Sequence, residues 1–234
     1  MSRDGASSGG HLLTVTNLLK RFGGFHALDG LTFGVSRGEI LGLVGPNGSG
    51  KTTAINVISG LYAPDGGDVV FEEAKIGGMA SHKLVHLGIN RTFQVPKPFP
   101  SLTVRQNVEV AHAYGRAASE VASTDELLAE YHLAEVADRP AFDLNSAQQK
   151  MLDLVRALAT APRLLLLDEL AAGLNPAELD WIAGKIKALA KTGMAIVVVE
   201  HLMGFIEQIT DRVIVLNAGK EIFEGKLADA VREP

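Results

Sequence analysis

The chain has 234 residues, 47% hydrophobic and 21% charged, so it can bury a substantial core and is not a disordered polymer. A formal net charge of −5 gives no electrostatic footprint for general binding to a phosphate backbone. The absence of cysteine excludes a disulfide framework and a thiolate nucleophile, and no apolar run approaches the ~20 residues that span a bilayer.

Residues 1–10 are polar and rich in glycine and serine, and are expected to form a flexible tail rather than a signal peptide. Residues 11–234 read as one domain. Residues 12–18 read as a strand, and 30–35 and 39–44 as two more, split by the turn Ser36-Arg-Gly38. A glycine-rich loop follows, then a helix over 52–59 stopped by Gly60, with Pro64 beyond it. Residues 68–72 form a short strand, 81–87 a helix and 89–93 a strand. The alternating prolines of residues 95–101, VPKPFPS, forbid a central strand and favour extended, solvated backbone. From 103 to 137 the pattern is helical and amphipathic, with a break near 115–124. Helix and strand then alternate: helix 148–159, strand 163–167, helix 177–191, strand 195–200, helix 203–209, and strands 212–216 and 221–224. Such alternation implies a parallel sheet covered by helices on both faces.

Gly45-Pro46-Asn47-Gly48-Ser49-Gly50-Lys51-Thr52 fits G-x-x-x-x-G-K-[ST] at every position, between an apolar strand and a helix. Glycines let successive backbone N–H groups turn towards one anion, and the helix N-terminus adds partial positive charge at the same point. This loop and Thr53 are the expected phosphate contacts. Lys51, expected to face solvent, would reach the β- and γ-phosphates, and the Thr52 hydroxyl would ligate Mg²⁺. Residues 164–169, LLLLDE, bury four leucines and deliver two carboxylates at the strand's C-terminal edge, where α/β sheets bind ligands. Asp168 is expected to hold Mg²⁺ through a water, and Glu169 to polarise the attacking water.

On these motifs, and on others in the same order, the chain resembles the ATP-binding subunits of ABC transporters over nearly its whole length. "RTFQ", residues 91–94, is similar to the Q-loop, which implies that Gln94 ligates Mg²⁺ and senses the transporter. "AAGLNP", 171–176, resembles the D-loop, and "VVEHLM", 198–203, puts His201 at the switch-histidine position. Phe22 in "KRFGG" stands where the family's aromatic stacks on adenine. By residue type alone, His201 reads as a helix-capping surface histidine, Gln94 equally as a strand-end polar residue, and Phe22 is open to a core reading. "RFGGFHALDG", "LTVRQNVEVA" and "DRVIVLNAGKEIFEG" most resemble the ATPases of branched-chain amino-acid importers. Transporters of urea, short amides and other small polar solutes have closely similar ATPases.

The resemblance implies a P-loop NTPase α/β fold: a mixed/parallel central sheet, an N-terminal antiparallel β subdomain and an inserted α-helical subdomain over about 95–160. It implies ATP and Mg²⁺ as cofactors. It implies a second ATPase subunit in a homo- or heterodimer, transmembrane permease subunits and, indirectly, a solute-binding protein. The position implied is peripheral, at the cytoplasmic face of the inner or plasma membrane, with the proline segment and Phe99 touching the permease. No nucleic acid is expected, since a cassette acting on DNA or ribosomes would carry a basic or coiled-coil insertion.

"DLNSAQQK", residues 143–150, occupies the position of the family's Leu-Ser-Gly-Gly-Gln signature. Leu144, Gln148, Gln149 and Lys150 fit; Asn145 replaces serine, and Ser146 and Ala147 replace the glycines. The resemblance implies that residues Asn145, Ser146, Ala147 and Gln148 contact the γ-phosphate of ATP held by the opposite subunit. Asn145 can still cap the helix and donate from its amide. Ala147 puts a methyl group where backbone must approach phosphate, or bars an unusual φ. Two functions stay open: an ATP-hydrolysing subunit that energises import, and an ATP-binding regulatory or assembly subunit with weak turnover.

Overall fold

A long hairpin opens the fold: β1 (His11–Phe22) and β2 (Phe25–Ser36) pair antiparallel across Gly23-Gly24, with Phe22 opposite Phe25. Both strands outrun their expected bounds. Asn17 has φ 47° and the register shifts between Val15 and Leu18, so a bulge interrupts the alternation on which the shorter reading rested. The computed structural model describes residues 10–116 and 122–230. The expected tail, apart from Gly10, and part of the break expected near 115–124 lie outside the described residues.

The chain continues through β3 (Ile40–Val44), α1 (Lys51–Ile58), β4 (Gly66–Phe71), the short β5 (Ala74–Lys75), α2 (Ser81–Leu87) and β6 (Ile89–Arg91). Helices α3 (Val104–Tyr114) and α4 (Thr124–Glu130) follow, then α5 (Ser146–Ala159), β7 (Leu164–Asp168), α6 (Pro176–Lys191) and β8 (Ala195–Val199). The described chain closes with α7 (Met203–Ile209), β9 (Arg212–Asn217), β10 (Lys220–Gly225) and a last turn, α8 (Leu227–Ala230). One sheet has the order β2-β1-β4-β5 and is antiparallel; the other has the order β10-β9-β3-β8-β7-β6. In the larger sheet all pairs are parallel except β9–β10.

Two buried clusters divide the strand residues by parity. Ile40, Leu165, Leu167, Ile196 and Val198 pack with α3 to α7. Leu41, Leu43, Leu164, Leu166 and Val197 pack with α1 and the smaller sheet. The expected covering of both faces by helices is thus corrected on one side, where a second sheet shares the work with α1. Strands β3, β7 and β8 are buried throughout, because each is sandwiched between layers.

Capping boxes fix the starts of α3 (Thr103/Gln106), α4 (Ser123/Glu126), α5 (Asn145/Gln148) and α6 (Asn175/Glu178). The fully buried Asn107 ties the proline segment to α3. It accepts from Phe99 N at 2.8 Å and donates to the carbonyls of Phe99 and Thr103 at 3.0 and 2.9 Å. Among the described residues, no helix is long and apolar enough to cross a membrane.

Candidate functional site

The glycine loop leaves the C-terminal end of β3 and enters α1. A Cβ on Gly45, at φ 143°, would sit 2.1 Å from the Leu216 carbonyl oxygen, and one on Gly50, at φ 108°, 2.5 Å from that of Ala27. Only glycine lets the backbone curl at these two points. The expectation that Lys51 faces solvent is corrected: it is 5% exposed. Its ammonium donates to the carbonyls of Gly45 and Pro46 at 2.8 and 2.9 Å. Burial pushes that ammonium below its ordinary pKa, opposed by the nearby carboxylates of Glu169 and Asp168.

An open pocket of about 630 Å³ lies over this loop. Asn47, Gly48, Gly50, Lys51, Thr52 and Thr53 form its floor, Gln94, Glu169 and His201 one wall, and Phe22, Phe25 and Ala27 the far end. Gln94 Nε2 donates to Glu169 Oε2 at 2.8 Å, and His201 Nε2 lies 2.9 Å from Glu169 Oε1. Each carboxylate oxygen is thereby held. Glu169 itself has φ 52°, a left-handed conformation that non-glycine residues seldom adopt and that marks a constrained position.

Asp168 ends β7 at 1% exposure, and Ser49, within the loop, is buried. Asp168 Oδ2 pairs with Arg91 Nη2 at 3.0 Å, while Oδ1 is buried with no partner among the described residues. Burial raises the Asp168 pKa, and Arg91 opposes the rise.

Phe22 is not core. It is 44% exposed and meets Tyr62 edge-on, with ring centroids 5.2 Å apart. Phe25, across the hairpin turn, went unremarked in the sequence, although its spacing from Phe22 over two glycines was the available signal. Arg91, Lys150 and Glu200 were also missed as parts of the site, because partnership with a carboxylate or carbonyl depends on tertiary proximity. His82 and His86 stand one helical turn apart on α2. No group of three or more His, Cys, Asp or Glu among the described residues could hold a metal.

The segment 145–148 does not reach this pocket. It starts α5 on another face, where Asn145, Ala147 and Gln148 line a second cavity of about 490 Å³ with Leu174, Asn175 and Trp181. Asn145 Oδ1 accepts from Gln148 N at 2.9 Å, and Gln148 Oε1 accepts from Asn145 N at 3.1 Å. Ala147 is an ordinary helical residue, so no unusual φ is required there. A third cavity, about 510 Å³, lies between α2, α3 and α5 and is lined by Phe93, Phe99, Tyr114 and Arg156. Phe99 is 45% exposed under the Arg156 guanidinium, 5.2 Å from its ring.

Known proteins resemble this chain in sequence and in fold. The family described as "ABC transporter" matches residues 28–172. A probable branched-chain amino acid transport ATP-binding protein of Archaeoglobus fulgidus is 36% identical, with 95% of this chain and 92% of that protein covered. The crystal structure of a nucleotide-free ATP-binding cassette from an ABC transporter superposes with a TM-score of 0.86 at 30% identity, covering 96% of each chain. A dimeric cassette in a post-hydrolysis state, bound to ADP and Pi, superposes at 0.82 with 28% identity, covering 92% of this chain and 98% of that one.

Proposed function

This chain belongs to the ABC transporter family, and from that membership we propose that it is the ATP-binding and ATP-hydrolysing subunit of an importer for branched-chain amino acids or a similar small solute. One observation carries the catalytic reading: a carboxylate held by a glutamine on one oxygen and a histidine on the other, facing the pocket floored by the glycine loop.

In this reading the N–H groups of the loop and of the first turn of α1 bind the phosphates, and Lys51 turns from its two carbonyls to the β- and γ-phosphates. Phe22 and Phe25 form the apolar end that stacks on adenine. Glu169 orients the attacking water and draws its proton. His201 and Gln94 hold the carboxylate and report the state of the γ-phosphate. The residues present fit a hard cation: the Thr52 hydroxyl, the Gln94 side-chain carbonyl and the unpartnered buried Asp168 Oδ1 are all oxygen donors. Mg²⁺ bound there supplies charge neutralisation at the phosphates.

The signature segment stands apart from the pocket of its own chain, which fits a role in completing the site of a second subunit. The dimeric cassette among the similar structures supports such pairing. The aromatic cavity at Phe93, Phe99 and Tyr114 is the proposed contact with the permease, which would hold the chain at the cytoplasmic face of the membrane. The regulatory alternative has no support in the similar proteins, whose names describe transport ATP-binding proteins and cassettes.

The test is steady-state ATPase activity of wild type and Glu169→Gln. The amide keeps size and one hydrogen bond but cannot take the proton, so ATP binding should persist while turnover nearly stops. Equal turnover in both would remove Glu169 from the catalytic role.

A further inference from the structure

Lys150 is a buried lysine, 8% exposed, on the first turns of α5. All three of its ammonium donors are spent on backbone. It donates to the carbonyls of Glu169 at 2.8 Å, Leu170 at 3.3 Å and Ala172 at 2.6 Å. Those residues form the loop that leaves β7 after Asp168, and the loop begins with Glu169 in its left-handed conformation. A second buried group takes the opposite polarity of the same loop: Glu200, 2% exposed, accepts from Ala171 N at 2.6 Å. Glu200 immediately precedes His201, so one buried carboxylate joins the Glu169 loop to the histidine that touches Glu169. Glu169 N donates to Val199 O at 2.9 Å. The backbone of 169–172 is thus fixed from three sides, by α5, by β8 and by the segment after β8.

We propose that Lys150 is a positioning residue for hydrolysis, one that locks the start of helix α5 to the backbone of Glu169 so that a displacement of α5 displaces the catalytic carboxylate. This rests on the reading of the pocket as an ATPase site. The physical reason is economy of contact. The start of α5 carries Asn145 and Ser146 exposed and Lys150 buried. A charge arriving at Asn145 would pull the same rigid turn whose lysine grips Glu169. Glu200 is also the link to His201; burial raises its pKa and lowers that of Lys150, and the attraction between the two groups opposes both shifts. The acceptors are backbone carbonyls, so the grip does not depend on the side chains of Leu170 or Ala172.

The experiment uses the full chain with Lys150→Met, Lys150→Arg and Glu200→Gln. For Lys150→Met, kcat should fall by about tenfold or more, as expected for a sub-ångström misplacement of a reacting group, with the Kd for ATP within about twofold of wild type. Lys150→Arg keeps the charge and part of the donor set and should recover most of kcat. Backbone hydrogen exchange supplies a readout that needs no turnover: amides 169–172 and 201 should lose protection in Lys150→Met while the buried middle of α5 keeps its own. If Lys150→Met does not fold, Glu200→Gln decides, with kcat lowered several-fold at unchanged ATP affinity. The proposal is overturned by unchanged kcat per folded molecule, by exchange that rises uniformly along α5, or by an arginine variant as impaired as the methionine one. A wild-type protein that binds ATP but never turns over would instead sink the ATPase reading, and the exchange measurement would still judge the clamp.

Discussion

Arg91 and Asp168 form a buried ion pair, 3.0 Å apart with side chains 7% and 1% exposed. The guanidinium also donates to Ser59 Oγ at 3.2 Å and to Thr92 O at 3.0 Å, so it joins the C-terminal end of α1 to β6 and β7. It occupies one oxygen of Asp168 and leaves the other open. Burial and Coulomb attraction pull in opposite directions here, and the carboxylate stays above its ordinary pKa despite the arginine.

Removing that arginine should therefore act on both stability and cation binding. Arg91→Met leaves a buried carboxylate unpaired and should cost about 3–5 kcal/mol of unfolding free energy. The Asp168 pKa should rise further, so ATP binding should need more Mg²⁺. Denaturant titration and a Mg²⁺ titration of ATP affinity check the two halves. A stability loss without any change in Mg²⁺ dependence would reduce the pair to scaffold.

Lys51→Ala should do more than remove a phosphate contact. Without nucleotide, Lys51 satisfies the carbonyls of Gly45 and Pro46 from a nearly buried position. Losing two such bonds should destabilise the nucleotide-free protein by about 1–3 kcal/mol. Loss of one or more charge-assisted bonds to phosphate should weaken ATP binding by roughly two orders of magnitude. Calorimetry with Mg²⁺ and a thermal melt without nucleotide make the comparison; equal ATP affinity in both proteins would sink the phosphate-site assignment.

The Lys51 result marks the limit of what its motif conveys. G-x-x-x-x-G-K-T dictated the loop, its strand and its helix, because glycine chemistry and helix polarity are local. Burial lowers the pKa of Lys51, and Glu169 and Asp168, more than a hundred residues away in sequence, oppose that shift. The run of four leucines at 164–167 forecast a buried strand but not which layer each leucine meets. The second sheet was foreseen only through resemblance. The bulge at Asn17 hid the true length of β1, since a left-handed asparagine leaves no trace in an apolar pattern. By residue type alone Gln94 and His201 read as ordinary polar residues; their site roles came through the resemblance, and the fold brings both to Glu169.

Asp153 gives a pH test. It is 5% exposed on α5 and accepts from Phe93 N at 2.7 Å, anchoring the segment that leads to Gln94. Burial raises its pKa above the ordinary 3.8, against the opposing pull of Phe93 N–H, Arg156 and Arg91. The native state then binds the proton more tightly than the unfolded chain does. Its stabilising contribution is fullest below the unfolded value near 3.8 and declines as pH rises through the higher folded value. Asp153→Asn keeps an acceptor for Phe93 and has no charge to bury. Relative to wild type, the variant should gain stability as pH climbs from about 4, then level off. Melting curves of both proteins without nucleotide between acid and neutral pH test this. A difference that does not vary with pH would show that Asp153 ionises as freely in the fold as outside it.

The signature segment carries the last prediction. Asn145 already caps α5 with its Oδ1, so the amide nitrogen is the group left to face a neighbouring nucleotide, and Ala147 offers a methyl where glycine would offer bare backbone. In a dimer each signature would serve the partner's glycine loop. If the partner is a different chain, Asn145 and Ala147 weaken the partner's site, the site at Lys51 keeps full activity, and Glu169→Gln here removes most turnover. If the dimer is of identical chains, both sites share the weakness. Replacing Asn145 by Ser and Ala147 by Gly should then raise kcat with little change in ATP affinity, because the contact strengthens on closure. One charge-assisted hydrogen bond, about 1.5–3 kcal/mol, corresponds to roughly one to two orders of magnitude in rate. Serine keeps the cap, while glycine in the first turn costs up to about 1 kcal/mol of helix stability, so a melting curve must accompany the rates. Steady-state ATPase of the purified chain, alone and with its transporter, decides the matter. An unchanged or lower kcat in both settings would mean that Asn145 and Ala147 serve the phosphate as well as the residues they replace.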